Sequence, residues 1–203
     1  MSAGALPGQG GAIWNGGTLT ISACNLSNNV ADYGQVGLGG AIYHAGTLTV
    51  SNSTLTNNSA GKPPAFDASP GGDGGAIYNA GTLTVSNSTV NDNTAFDSIF
   101  GGGYGGGIFN AYKASATITS SNLSGNIADG AGDYNGGGAI YNNGLMTLAG
   151  STVSGNADGI FNDKKGHLTI ASKSVVVSNT LYDLFNLGSV KISNDSDVGV
   201  IGK

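Results

Sequence analysis

The sequence predicts an all-β protein, a right-handed parallel β-helix of about seven rungs, and three observations carry that prediction. First, a phrase close to GGAIYN recurs, with its isoleucine at Ile13, Ile42, Ile77, Ile108 and Ile140, then more loosely at Ile160 and Leu184. Self-similarity at intervals of 20 to 35 residues is the mark of a solenoid. Second, the residues between those phrases alternate apolar and polar with period two, as strands do. Third, Gly reaches 37 of 203 residues and charged residues only 9 %, with no Glu and no Arg, a composition of strands and tight turns rather than helices.

Aligned on the isoleucine, the turns give columns. Leu19, Leu48, Leu83, Ala116, Met146, Leu168 and Val190 form one apolar stack, and Ile21, Val50, Val85, Ile118, Leu148, Ile170 and Ile192 a second. Leu26, Leu55, Val90, Leu123, Val153 and Val175 form a third. Each fully buried aliphatic side chain stabilises by about 1.5–3 kcal/mol, so these stacks and the isoleucine stack make the expected core. Cys24, Ser53, Ser88, Ser121 and Ser151 form a column of small residues that parity also directs inward, with Cys24 as a core filler.

Two asparagine columns mark expected bends. One is Asn15, Asn79, Asn110, Asn142, Asn162 and Asn186, with His44 substituting once; the other is Asn29, Asn58, Asn93, Asn126, Asn156 and Asn179. Asn tolerates left-handed backbone angles, and its amide can bond the amide one rung away. The residue after each isoleucine is aromatic (Trp14, Tyr43, Tyr78, Phe109, Tyr141, Phe161, Phe185), which predicts an outward ridge of stacked rings beneath loop cover.

Core repeats should run over 10–193 of a single domain, 1–203. The opening MSAGALPGQ and the closing DVGVIGK are short for caps, and the expectation is a piece of a longer solenoid. A net charge of −5 with seven lysines argues against nucleic acid as a partner. No apolar run is long enough to insert into a membrane as a helix.

Rung length varies at one place, between the second Asn column and the next GGAI. The surplus lies in Val30 to Leu38, Ser59 to Asp73, Thr94 to Tyr104 and Ile127 to Gly136, all expected on one edge. Insertions on one face of a repeat array often form its binding face. The candidate ligand-binding residues are therefore Tyr33, Phe66, Asp67, Asp73, Asp97, Tyr104, Asp129 and Tyr134. Rings that stack on sugars beside carboxylates that take hydroxyls would suit a glycan or a surface protein. The same residues suit loops that pack on their neighbours. No cofactor is predicted; Asp and carbonyl oxygens could hold Ca²⁺, although no D-x-D-x-D run is present.

For catalysis, Asp32, Asp129 and Asp158 share an Ala-Asp context that makes them candidates for one column. Asp32 and Asp129 would stand three rungs apart, about 14 Å, too far for paired carboxylates, leaving Asp129 with Asp158 as the pair to test. No catalytic residue is assigned. A separate array, Thr18 and Thr20, Thr47 and Thr49, Thr82 and Thr84, Ser115 and Thr117, resembles the flat T-x-T face of ice-binding solenoids.

The GGAI element (Gly10 to Ile13, Gly39 to Ile42, Gly74 to Ile77, Gly137 to Ile140, with GGGI at Gly105 to Ile108) is followed by a hydrophobic-x-x-Asn element. That element stands at Leu26 to Asn29, Leu55 to Asn58, Val90 to Asn93, Leu123 to Asn126 and Val153 to Asn156. The pair resembles the GGAI and FxxN repeats of the chlamydial polymorphic outer-membrane proteins and related pectin-lyase-like adhesin passengers. The resemblance implies a secreted or surface-displayed, non-catalytic β-helical module acting as a rigid or adhesive surface. A polysaccharide-binding or polysaccharide-degrading protein is the alternative it leaves open. Leu or Val stands where that family has Phe.

Overall fold

The computed structural model describes residues 8–32, 36–61, 71–97, 102–129 and 136–202. Among them every strand pair is parallel and no helix occurs. The chain winds as a right-handed parallel β-helix, each rung laying one short strand on each of three long sheets.

The first, the IYN sheet, stacks Ile13–Asn15, Ile42–His44, Ile77–Asn79, Ile108–Asn110, Ile140–Asn142, Ile160–Asn162, Leu184–Asn186 and Ile201–Gly202. The second, the TLT sheet, runs from Thr18–Ser22 through Thr47–Ser51, Thr82–Ser86, Ser115–Thr119, Leu145–Ala149 and His167–Ala171 to Ser189–Ile192. The third, the LxxN sheet, runs from Asn25–Ser27 to Asp197–Val198. Val198 and Ile201 repeat the apolar positions of the rung before and pair in the same register, Val198 with Val176 and Ile201 with Leu184.

Register follows the predicted columns. Ile77 stands between Ile42 and Ile108, and Leu83 between Leu48 and Ala116. Their side chains form one continuous core in which Ile42, Leu55, Ile77, Ile118, Ile140 and Met146 have no accessible surface to speak of. A one-residue slip would turn that whole set outward, so the alternation specifies the pairing.

One column needs correction. Val176, not Val175, pairs with Val153 and is fully buried. The turn before it holds two left-handed residues, Ser172 and Lys173, where the other rungs hold one (Ala23, Asn52, Asn87, Ser120, Gly150). The extra residue shifts the frame by one.

The asparagine columns stack as predicted, but they are not where the backbone turns left-handed. Positive φ falls on the residue before the second column (Asn28, Asn57, Asp92, Gly125, Gly155, Ser178). The ladder Asn itself keeps ordinary angles and supplies hydrogen bonds. In GGAI the first glycine takes that conformation: at Gly39, φ is +70° and a Cβ would lie 2.0 Å from the Ile42 carbonyl oxygen.

Cys24 occupies the serine column but is exposed, contrary to the inward expectation. It stands on the first rung, where its neighbour lies on one side only. Its backbone N–H donates to Ser53 Oγ at 3.1 Å. The same bond repeats from Ser53 to Ser88, Ser88 to Ser121, Ser121 to Ser151 and Ser151 to Ser174, a buried serine ladder that the sequence did not announce.

Candidate functional site

The variable segments leave and re-enter the coil at a common edge. Their first residues form a four-stranded sheet (Val30–Ala31, Ser59–Ala60, Thr94–Phe96, Ile127–Asp129). The last residues of the first two, Gly37–Leu38 and Gly72–Asp73, form a three-stranded sheet with Gly8–Gln9. Neither sheet leaves a periodic signal in the sequence, because strands of two or three residues are too short to carry one. Tyr33, Phe66, Asp67 and Tyr134 lie outside the described residues.

Of the remaining candidates, Asp73, Asp97 and Tyr104 come together. The Tyr104 N–H donates to Asp73 Oδ1 at 3.2 Å. Burial raises the Tyr104 phenol above its ordinary range, and the charges of Asp73, Asp97 and Asp163 push the same way. Burial pushes the Asp73 carboxyl up to about 7, against the opposing hydrogen bond from Tyr104. Near neutral pH Asp73 is thus divided between its charged form and a neutral form that can donate a hydrogen bond. Asp97 is 7 % exposed. Asp129 is exposed and pairs across the edge with Phe96.

Asp158 does not belong to the Asp129 column. Its carbonyl accepts from Ala139 N at 2.9 Å, and its backbone lies against Gly138. It therefore occupies the second glycine position of GGAI, in the rung that lacks a long insertion. Asp158 is buried, and that burial raises its carboxyl pKa. Exposed Asp129 and sunken Asp158 do not form the converging pair that a hydrolase needs.

The aromatic column is one continuous stack. Ring centroids from Trp14 through Tyr43, Tyr78, Phe109, Tyr141 and Phe161 to Phe185 are separated by 6.5, 5.4, 4.8, 5.1, 5.2 and 5.3 Å, with planes within 13°. Most of the rings are half-buried and Phe161 is fully covered. Part of the cover comes from the residue five positions before a ring, as at Gln9, Asp73 and Tyr104. Gln9 accepts from Trp14 Nε1 at 3.0 Å, burial and then the charge of Asp73 raise the Tyr78 phenol, and Tyr104 leans one rung on to meet Tyr141 at 5.0 Å. Where the rungs shorten, Tyr182 takes over, tilted against Phe185 with its hydroxyl accepting from Gly137 N at 3.2 Å.

This arrangement decides what the rings can do. A sugar stacks on the face of a ring, and here the faces are spent on one another. Trp14, 59 % exposed at the first rung, is the exception among them.

The coil and its spacing of motifs can now be set beside known proteins. Residues 52–80 match the Chlamydia polymorphic membrane protein (Chlamydia_PMP) repeat. That stretch holds both halves of the motif pair, Leu55 to Asn58 and Gly74 to Ile77, with the longest insertion between them. The repeat's Leu55 is fully buried, its Asn58 bonds Asn93 in the ladder, and its Ile77 lies in the core. No curated protein and no solved structure matches the chain.

Proposed function

We propose that the chain is a non-catalytic β-helical module displayed at a cell surface, where it serves as a rigid scaffold and makes contact through its long-insertion edge. The observation that carries this reading is how the repeat spends its side chains. Asparagine, serine and aromatic columns bond or stack rung to rung along the coil, which stiffens it and leaves the groups of the insertion edge for contact. The match of 52–80 to a repeat of chlamydial membrane proteins supports the surface placement.

A combined glycan-binding and depolymerisation assay on the purified chain tests this. The expected result is retention on a surface glycan or protein, reduced by Asp97→Ala or Tyr104→Ala, with no shortening of any polymer. Cleavage of a polysaccharide that Asp129→Ala or Asp158→Ala abolishes would replace the module with an enzyme.

Ice binding is a second reading, supported by the register of the hydroxyl ranks. Thr18, Thr47, Thr82 and Ser115 align across four neighbouring strands, as do Thr20, Thr49, Thr84 and Thr117. Later rungs replace the first rank with Leu145 and His167. Thermal hysteresis in a solution of the chain is the readout, and its absence removes this reading.

A further inference from the structure

The turn between the IYN and TLT sheets contains two residues in most rungs, such as Ala80-Gly81 and Asn143-Gly144. In two rungs it contains four, Ala111-Tyr112-Lys113-Ala114 and Asp163-Lys164-Lys165-Gly166. Each long turn is closed by a backbone bond, Ala114 N to Ala111 O at 3.0 Å and Gly166 N to Asp163 O at 2.7 Å. They stand two rungs apart, about 10 Å by strand spacing, with the short Asn143-Gly144 turn as the floor between them.

The two turns lean together over that floor. Lys165 Nζ lies 4.5 Å from the centroid of the Tyr112 ring, and Lys113 Nζ lies 5.4 Å from the same centroid. Tyr112 is 54 % exposed, and Lys113, Lys164 and Lys165 are exposed. Three of the chain's seven lysines thus gather at one place in a protein of net charge −5. Among the described residues no carboxylate forms an ion pair with them. The nearest in sequence, Asp163, lies near the Tyr141 phenol on the aromatic ridge, which burial first and then the Asp163 charge raise above its ordinary range. A ring quadrupole attracts the two ammonium groups without neutralising them.

We infer that this notch binds an anionic polysaccharide. The lysines would take its carboxylate or sulfate groups, and the exposed Tyr112 ring would meet a sugar face. The site lies at the opposite end of the IYN strands from the insertion edge, so it stands whether or not that edge binds anything.

Binding of the full chain to dextran sulfate and to polygalacturonate, with neutral dextran and polyglutamate as comparators, tests the inference. The expected result is salt-sensitive binding to one or both acidic glycans. Lys113→Gln with Lys165→Gln should weaken it about tenfold, as two exposed charge contacts together supply about 1–2 kcal/mol. Tyr112→Ala should weaken it too. Lys173→Gln with Lys191→Gln removes the same charge elsewhere and should leave it unchanged. The inference is overturned if neither acidic glycan binds, if neutral dextran or polyglutamate binds equally well, if Tyr112→Ala has no effect, or if the control pair weakens binding as much. Circular dichroism of each variant separates loss of the notch from loss of the coil.

Discussion

Two asparagine ladders run the length of this coil and differ in what each amide does. In the ladder from Asn29 to Asn179, every Oδ1 after the first accepts two bonds from the rung before, one from a backbone N–H and one from Nδ2, as Asn126 does for Asn93. Each Nδ2 after the first also reaches a leucine or valine carbonyl, as Asn126 reaches Val90 O at 2.9 Å. The chain of amides ends on Asp183, whose Oδ1 takes both bonds from Asn179 and whose Oδ2 takes Val200 N.

In the ladder from Asn15 to Asn186, the rung-to-rung link is the single Nδ2 to Oδ1 bond, such as Asn110 to Asn142 at 2.7 Å. Here one rung does without asparagine. His44 receives Asn15 Nδ2 and Gly46 N at Nδ1, and its Nε2 lies 2.9 Å from the Thr82 carbonyl. With donors facing Nδ1 and an acceptor facing Nε2, only the neutral tautomer protonated at Nε2 fits. The lesson is that an amide ladder tolerates another side chain where its oxygen holds a local N–H, as Asn79 holds Gly81 N and His44 holds Gly46 N, rather than an N–H of the neighbouring rung, and then only in one protonation state.

The largest expected effect breaks the denser ladder. Asn126→Leu leaves Asn93 N–H and the Val90 carbonyl unpaired in the core, which costs about 3 kcal/mol in urea unfolding. Asn110→Leu chiefly strands the Leu145 carbonyl and should cost about half as much. Equal losses would erase the distinction between the ladders.

His44→Asn comes next. Burial lowers the pKa of His44 below its ordinary 6.5. The unfolded chain therefore binds the proton more readily, and stability is full above about pH 6.5 and falls as pH drops through the folded value. The variant should match the parent within about 1 kcal/mol at pH 8 and exceed it at pH 5 in thermal unfolding. A parallel offset at every pH would deny the tautomer argument.

Asp73 gives the opposite slope. Its folded pKa, about 7, lies above the ordinary 3.8, so its contribution is full below pH 3.8 and is lost as pH rises through 7. Asp73→Asn should therefore stabilise at pH 8 relative to the parent and lose that advantage at pH 4. A gain that is independent of pH would mean that the carboxyl is not desolvated.

The smallest effect is at the end of the serine ladder. Cys24→Ser should change stability by less than about 0.5 kcal/mol, and a thiol reagent should label Cys24 in the native protein at the rate of a free thiol. Protection from the reagent would place it inside.

The apolar columns and both asparagine columns were legible because a parallel coil repeats each residue's environment at every rung. Two departures fall where a rung changes length: an extra turn residue brings Val176 rather than Val175 into the apolar column, and the shortest rung, with no insertion to mark where GGAI begins, puts Asp158 at a glycine position instead of beside Asp129. The third, exposed Cys24, falls at the first rung. The meeting of Asp73, Asp97 and Tyr104 could be suspected only as membership of one edge. Their contact depends on Gly72 and Gly103 bringing two rungs' backbones together, Gly103 N bonding Gly72 O at 2.8 Å. The Tyr112 notch left a fainter trace, two equal insertions two rungs apart.

By itself the sequence determined the coil, its register and its ladders. Those depend on repetition, and a repeated apolar pattern has one pairing that buries it everywhere. Tertiary structure alone decided what happens between unlike rungs: which carboxyl loses its water, which ring covers which, and which lysines from separate turns meet. Such contacts form between residues that occupy different positions in the repeat, and no column of the sequence aligns them.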